Sequence, residues 1–183
     1  LRALYLQVGD HHALAQLVEQ RLVAEEDPAA VVELELTLAG ALRALGDYER
    51  ARSSLQHALD LDPDHRQALG NMIELSLATE SWEEAQRALA RLTELADTDE
   101  ERAELALKLG SVLEERLSDF EGARLAYERA LALRPAHTKT ISGLVRVLAQ
   151  LGQYDDAMTM QAALIDSTEA PEAKLELTLE LAH

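Results

Sequence analysis

The chain is 183 residues long, carries a formal net charge of −17, is 48% hydrophobic but only 3% aromatic, and contains no cysteine. So acidic a chain repels nucleic-acid phosphates and anionic membrane surfaces, and without Cys neither disulfides nor thiolate metal sites can form. No apolar run approaches the ~18 residues of a membrane span, so no membrane insertion is expected, and the compartment, cytoplasmic or periplasmic, stays unknown.

Leu and Ala supply most of the apolar content, and both are strong helix formers. Four Pro and eight Gly are too few for a loop-rich β fold. In chain order, GDHHALAQLVEQRLVAEEDP (9–28) is a weak first copy of a pattern that then recurs. An apolar helix is predicted over Glu33–Ala44, followed by GDYERARSSLQHALDLDP (46–63), whose helix spans Tyr48–Leu61. A second pair comprises Arg66–Ala78 and ESWEEAQRALARLTELAD (80–97). A third comprises Ala103–Glu115 and SDFEGARLAYERALALRP (118–135), and a fourth Lys139–Gln150 and GQYDDAMTMQAALIDSTE (152–169). AKLELTLE (173–180) opens another copy.

Each second segment has an aromatic residue followed three positions later by Ala: Tyr48/Ala51, Trp82/Ala85, Phe120/Ala123 and Tyr154/Ala157. Four after the Ala come Leu55, Leu89 and Tyr127, with Gln161 as the exception. Asp47 to Ser81 and Asp119 to Gln153 are both 34 residues, while Ser81 to Asp119 is 38, giving a larger period of 72. Ser81–Glu84, Thr98–Glu101 and Ser118–Glu121 read as capping boxes. Pro28, Pro63, Pro135 and Pro171 fall between pairs, where a helix can begin without a backbone donor.

This pattern resembles the tetratricopeptide repeat family, on Leu38-Ala39, Leu42, Gly46, Tyr48, Ala51, Leu55, Ala58 and Pro63, and again on Leu109-Gly110, Leu113, Phe120, Ala123, Tyr127, Ala130 and Pro135. The family's first-helix Trp is replaced by Glu35, Leu69, Ala106 and Ile141, and Glu80 stands where Gly is usual. The alternating spacing is similar to that of long bacterial arrays. The resemblance implies an all-α fold, a right-handed α-solenoid of antiparallel helix pairs across 1–183, with units at 1–27 (partial), 28–64, 65–98, 99–136, 137–170 and 171–183 (partial). LRALYLQVGD aligns with LAGALRALGD, and PEAKLELTLELAH stops within a first helix, so the chain is expected to be an excerpt of a longer array. Small Ala at 51, 85, 123 and 157 lets two helices approach, and the aromatic before each fills the space between helices. Enlarging Ala123 to Phe is expected to overpack that contact at a cost of roughly 1–3 kcal/mol.

The family implies a non-catalytic scaffold that binds a peptide or partner domain on a concave face lined by first helices. At the corresponding positions stand Leu36, Thr37 and Arg43; Asn71, Glu74 and Leu77; Leu107, Lys108 and Ser111; and Lys139, Ser142 and Arg146. Leu36, Leu77 and Leu107 are expected to form an apolar strip, on a face acidic over three units and basic at the fourth through Lys139 and Arg146. Basic or neutral partners suit the acidity. The family's carboxylate-clamping subgroup is not matched, because only Asn71 and Lys108 could contribute. Two other readings are a self-associating structural array and the regulatory region of a larger catalytic chain.

No phosphate-binding loop, His-Glu-x-x-His or Gly-x-Ser-x-Gly occurs. Of His11, His12, His57, His65, His137 and His183, only the adjacent first two are close in sequence, a poor chelate on a helix, and neither metal nor cofactor is expected. The acidic pairs sit at helix ends and polar faces, where solvation and the helix dipole explain them. No enzyme is expected.

Overall fold

The computed structural model describes residues 10–167. Among these, every regular element is an α-helix: α1 (His11–Leu22), α2 (Pro28–Ala44), α3 (Tyr48–Leu61), α4 (Arg66–Ala78), α5 (Trp82–Glu94), α6 (Asp99–Glu115), α7 (Phe120–Leu133), α8 (Thr138–Gln150) and α9 (Tyr154–Ser167). Pro171, the copy at 173–180, all of LRALYLQVGD but Asp10 and the whole partial last unit lie outside the described residues, as does the fit of either end to a neighbouring repeat.

The chain divides into two compact units, 1–95 and 96–183. In the first, α2 packs against α1, α3 and α4, α3 also meets α4, and α5 folds back on α4. In the second, α6 to α9 pack successively, and α6 also meets α8. Short turns make consecutive helices antiparallel neighbours. Each unit is therefore a stack of helical hairpins in which first helices lie beside one another, α2 with α4 and α6 with α8.

Local chemistry explains where the helices start. Asp10, Asp27, Asp47 and Asp119 each accept a first-turn backbone N–H on the side chain, satisfying donors the helix leaves orphaned. Thr98 does the same for Glu101, whose carboxylate accepts the Asp97 N–H at 3.1 Å. The other two predicted capping boxes do not form. Ser81 precedes α5 without capping it, because its hydroxyl accepts from Arg52 instead. Ser118 is displaced by Asp119, which takes the capping position. Of the prolines between pairs, Pro28 opens a helix, beginning α2 five residues before Glu33, whereas Pro63 and Pro135 lie in the turns preceding α4 and α8.

Hairpin turns require one left-handed residue each. Gly46 and Gly152 supply it at φ 78° and 75°, but Glu80 and Ser118 are forced to φ 55° and 54°. The turns close through Asp47 N–H to Leu42 O, Ser81 N–H to Ser76 O and Gln153 N–H to Leu148 O, all five residues back. The α6–α7 turn is one residue longer, with Asp119 N–H reaching Leu113 O.

Ala51, Ala85, Ala123 and Ala157 are all buried at helix–helix contacts. The aromatics before them share a position too, each being the first residue of a second helix. Their expected role as fillers between helices holds only in part. Phe120 packs against the second unit's core and Trp82 is half-buried, but Tyr48 is 43% and Tyr154 64% exposed, because a first-turn side chain projects beyond the end of the packed stripe.

Candidate functional site

The first helices carry two kinds of position. Inward ones are apolar, including Leu38, Ala39, Leu42, Leu69, Met72 and Leu75 in the first unit. Outward ones recur every three or four residues. On α2 the outer row is Glu33, Thr37, Gly40 and Arg43; on α4 it is Gln67, Gly70 or Asn71, Glu74 and Leu77. On α6 it is Glu104, Lys108, Ser111 and Glu115, and on α8 Lys139, Ser142, Arg146 and Gln150. A helix buried on its other sides leaves only such a stripe to solvent.

Eleven of the twelve sequence-predicted residues lie on or beside these rows; Leu36 does not. Leu36 is 6% exposed, because α2 is enclosed by α1, α3 and α4 and buries Leu34, Leu36 and Leu38 alike. The expected apolar strip is thereby reduced: Leu77 is 39% exposed, and Leu107 is half-buried against the second unit's core. A cleft of about 310 Å³ between α1, α2 and α4 is lined by His11, Glu33, Thr37, Gly40 and Gln67, with Leu36 and Leu14 among its walls. A Cβ at Gly40 or Gly70 would meet nothing within 4 Å, so both glycines open onto free space.

Charges on the rows are cross-linked. Arg43 Nη1 donates to Glu74 Oε2 at 2.5 Å, joining α2 to α4. In the second unit Arg146 Nε and Nη2 donate to the two oxygens of Glu114 at 2.7 and 2.9 Å, joining α8 to α6. Arg146 is therefore neutralised, and its pKa is raised by that carboxylate. The predicted basic end of the face thus reduces to Lys139 with Lys108 on the neighbouring helix. Ser111 Oγ donates to its own helix at Leu107 O.

The same carboxylate reaches inward. Tyr127, 1% exposed on α7, donates its O–H to Glu114 Oε2 at 2.7 Å. Its ring lies between two first helices, where a Cβ on Gly110 would come within 2.5 Å and one on Gly143 within 2.6 Å of it. At Leu55, the corresponding residue of the first unit, the space is bounded by Ala39, Asn71 and Leu75. A tyrosine fits the second unit because glycines replace Ala39 and Asn71.

Sequence reasoning missed that clamp, although the unpaired Tyr127 among leucines was its signal. It also missed Glu35, which occupies the family's Trp position yet is 7% exposed and meets His57 Nδ1 at 2.7 Å. His65 accepts the Ala68 N–H at 3.3 Å and His137 Nδ1 lies 2.8 Å from Thr140 Oγ1; both act at helix starts. Among the described residues no three His, Asp or Glu side chains gather as a metal-ligand set, and no helix is long and apolar enough to cross a membrane.

No curated protein sequence matches this one. Solved structures of MamA share the fold: one crystal structure superposes with a TM-score of 0.63 at 22% identity, covering 91% of this chain and 94% of that one. A second gives 0.64 at 20% identity, covering 91% and 87%. MamA 41-end from Desulfovibrio magneticus RS-1 gives 0.59 at 20% identity, covering 92% and 93%. The tetratricopeptide repeat profile matches residues 42–109 and 116–177. With its all-helical solenoid fold, the chain belongs to the tetratricopeptide repeat family of protein-interaction scaffolds.

Proposed function

We propose that the chain captures a peptide segment or partner domain on its first-helix rows, within each unit. The observation that carries this is the pairing of outer rows on α2 and α4 around Gly40 and Gly70, both open to space. Backbone of a partner can approach closely where no side chain stands, while Thr37, Asn71 and the Arg43–Glu74 pair offer hydrogen bonds and Leu77 an apolar contact. In the second unit Lys108, Ser111, Lys139, Ser142 and the Arg146–Glu114 pair play the polar part, with Leu107 beneath them. The net charge of −17 favours basic or neutral partners over acidic ones.

A photo-crosslinking residue placed in the full chain at Asn71 or Ser142 tests this against one at the exposed Gln56 on a second helix. Crosslinks to other proteins from positions 71 and 142 but not 56 support the reading. The same protein bands from all three, or from 56 alone, refute it.

A further inference from the structure

A gap that is closed in the first unit is open in the second. In the first, Arg52 on α3 crosses towards α5: its Nε lies 3.1 Å from Glu84 Oε2, and Nη2 donates to Ser81 Oγ at 2.8 Å and Thr79 Oγ1 at 2.9 Å. The fully buried Ser76 donates to the same Glu84 carboxylate at 2.8 Å. A guanidinium, a carboxylate and three hydroxyls thus knit the second helices α3 and α5 together.

One period of 72 residues later, Arg52, Ser76, Thr79, Ser81 and Glu84 correspond to Arg124, Leu148, Leu151, Gln153 and Asp156. Every hydroxyl is gone. Gln56 corresponds to Glu128, and this acid redirects the arginine. Arg124 lies along its own helix, with Nη1 donating to Glu128 at 2.7 Å and Nε to Glu121 at 3.1 Å. What remains between α7, α8 and α9 is a cleft of about 600 Å³. Leu131, Leu144, Leu148 and Met160 make it apolar, and its charged lining is Glu128, held by Arg124, which lines the cleft too, and Asp156. Asp156 is exposed, and its carboxylate forms no hydrogen bond or ion pair among the described residues.

We infer that this cleft receives an arginine or lysine side chain presented by a basic, apolar segment of a partner protein. The first unit shows what the site is shaped to hold, since its own Arg52 guanidinium occupies the corresponding place against Glu84. Asp156 supplies the charge complement, and the apolar walls suit the aliphatic stem of a long cation and the apolar residues beside it. The cleft is formed by second helices α7 and α9 over α8, so it is separate from the first-helix rows and stands or falls independently of them.

The test is titration of the full chain with an acetylated amphipathic helical peptide carrying two arginines on a leucine stripe, and with its copy bearing neutral citrulline at both places. The arginine peptide is expected to bind and shift the amide resonances of Asp156 and Thr159, the citrulline copy to bind roughly tenfold or more weakly, and Asp156→Asn to lose a similar factor. Arg124→Gln, which removes the internal competitor, should tighten binding. Glu83→Gln removes one exposed charge from the other unit and should leave the affinity unchanged. Equal binding of the two peptides, or equal loss from Glu83→Gln and Asp156→Asn, overturns the proposal. So does self-association of the free chain that Asp156→Arg abolishes, which would assign the cleft to a second copy.

Discussion

Glu114 on α6 and Arg146 on α8 form a two-pronged ion pair in the second unit where Arg43 and Glu74 form a single-bonded pair of opposite polarity in the first. Arg146 follows Glu74 by 72 residues and Glu114 follows Arg43 by 71, the difference being the extra residue in the α6–α7 turn. Either polarity ties adjacent first helices, but only a carboxylate on the earlier helix can also accept the Tyr127 O–H. Glu114→Ala should therefore cost about 1–3 kcal/mol by leaving the buried hydroxyl only its long 3.4 Å bond to Ser111 Oγ, and Tyr127→Phe about 1 kcal/mol. Combined, they should cost less than the sum. Additive losses in urea unfolding would show that the bond does not couple them.

The Tyr127 ring depends on two missing side chains. Gly143→Ala places a methyl group against it and is expected to destabilise by about 1–3 kcal/mol. Adding Tyr127→Leu, the residue the first unit uses, should recover most of that loss. A thermal melt in which Tyr127→Leu makes Gly143→Ala worse would contradict this packing.

Glu80 and Ser118 sit in left-handed backbone that glycine adopts freely. That conformation costs an ordinary residue roughly 1–2 kcal/mol, against a loss of about 0.5–1 kcal/mol for glycine's larger chain entropy. Glu80→Gly and Ser118→Gly should each stabilise the protein by up to about 1 kcal/mol. Gly46→Ala should do the reverse, and chemical denaturation of the three variants decides the matter.

Buried Glu35 relies on His57, 2.7 Å away. His57→Ala should cost about 1–3 kcal/mol, because a carboxylate stays behind unpaired. Glu35→Leu removes the charge along with its need for a partner and should be close to neutral or stabilising. If Glu35→Leu proved the more damaging of the two, the pair would be contributing net stability.

Burial pushes the Tyr127 phenol above its ordinary value of about 10; the Ser111 hydrogen bond opposes this and the Glu114 carboxylate adds to it. Above that pH the unfolded chain releases this proton while the folded chain keeps it. The resulting contribution is intact below about pH 10 and is lost as pH rises beyond it, by up to about 1.4 kcal/mol per unit. Wild-type stability should accordingly fall more steeply than that of Tyr127→Phe between neutral and strongly alkaline solution. Parallel curves would mean that Tyr127 ionises in the folded state.

The repeat, the helix pairs and the buried alanines were legible in the sequence, because each depends on neighbours three, four or seven positions apart along one helix. Local rules also located the Thr98 helix start, whereas the starts capped by Asp10, Asp27, Asp47 and Asp119 emerged only in the structure. The rules failed at Ser81 and Leu36 for a common reason: both answer to other helices. The Ser81 hydroxyl was claimed by Arg52 from α3, and Leu36 was enclosed by α1, α3 and α4, so a residue expected on an exposed apolar strip became core. The charge of the first-helix face was decided in the same way, since Arg146 counts as a cation in the sequence but meets Glu114 only when α6 and α8 lie side by side. Periodicity settles which residues share a helix face; which groups neutralise, clamp or open a space is settled by residues 13 to 32 positions apart, through contacts that only packing creates.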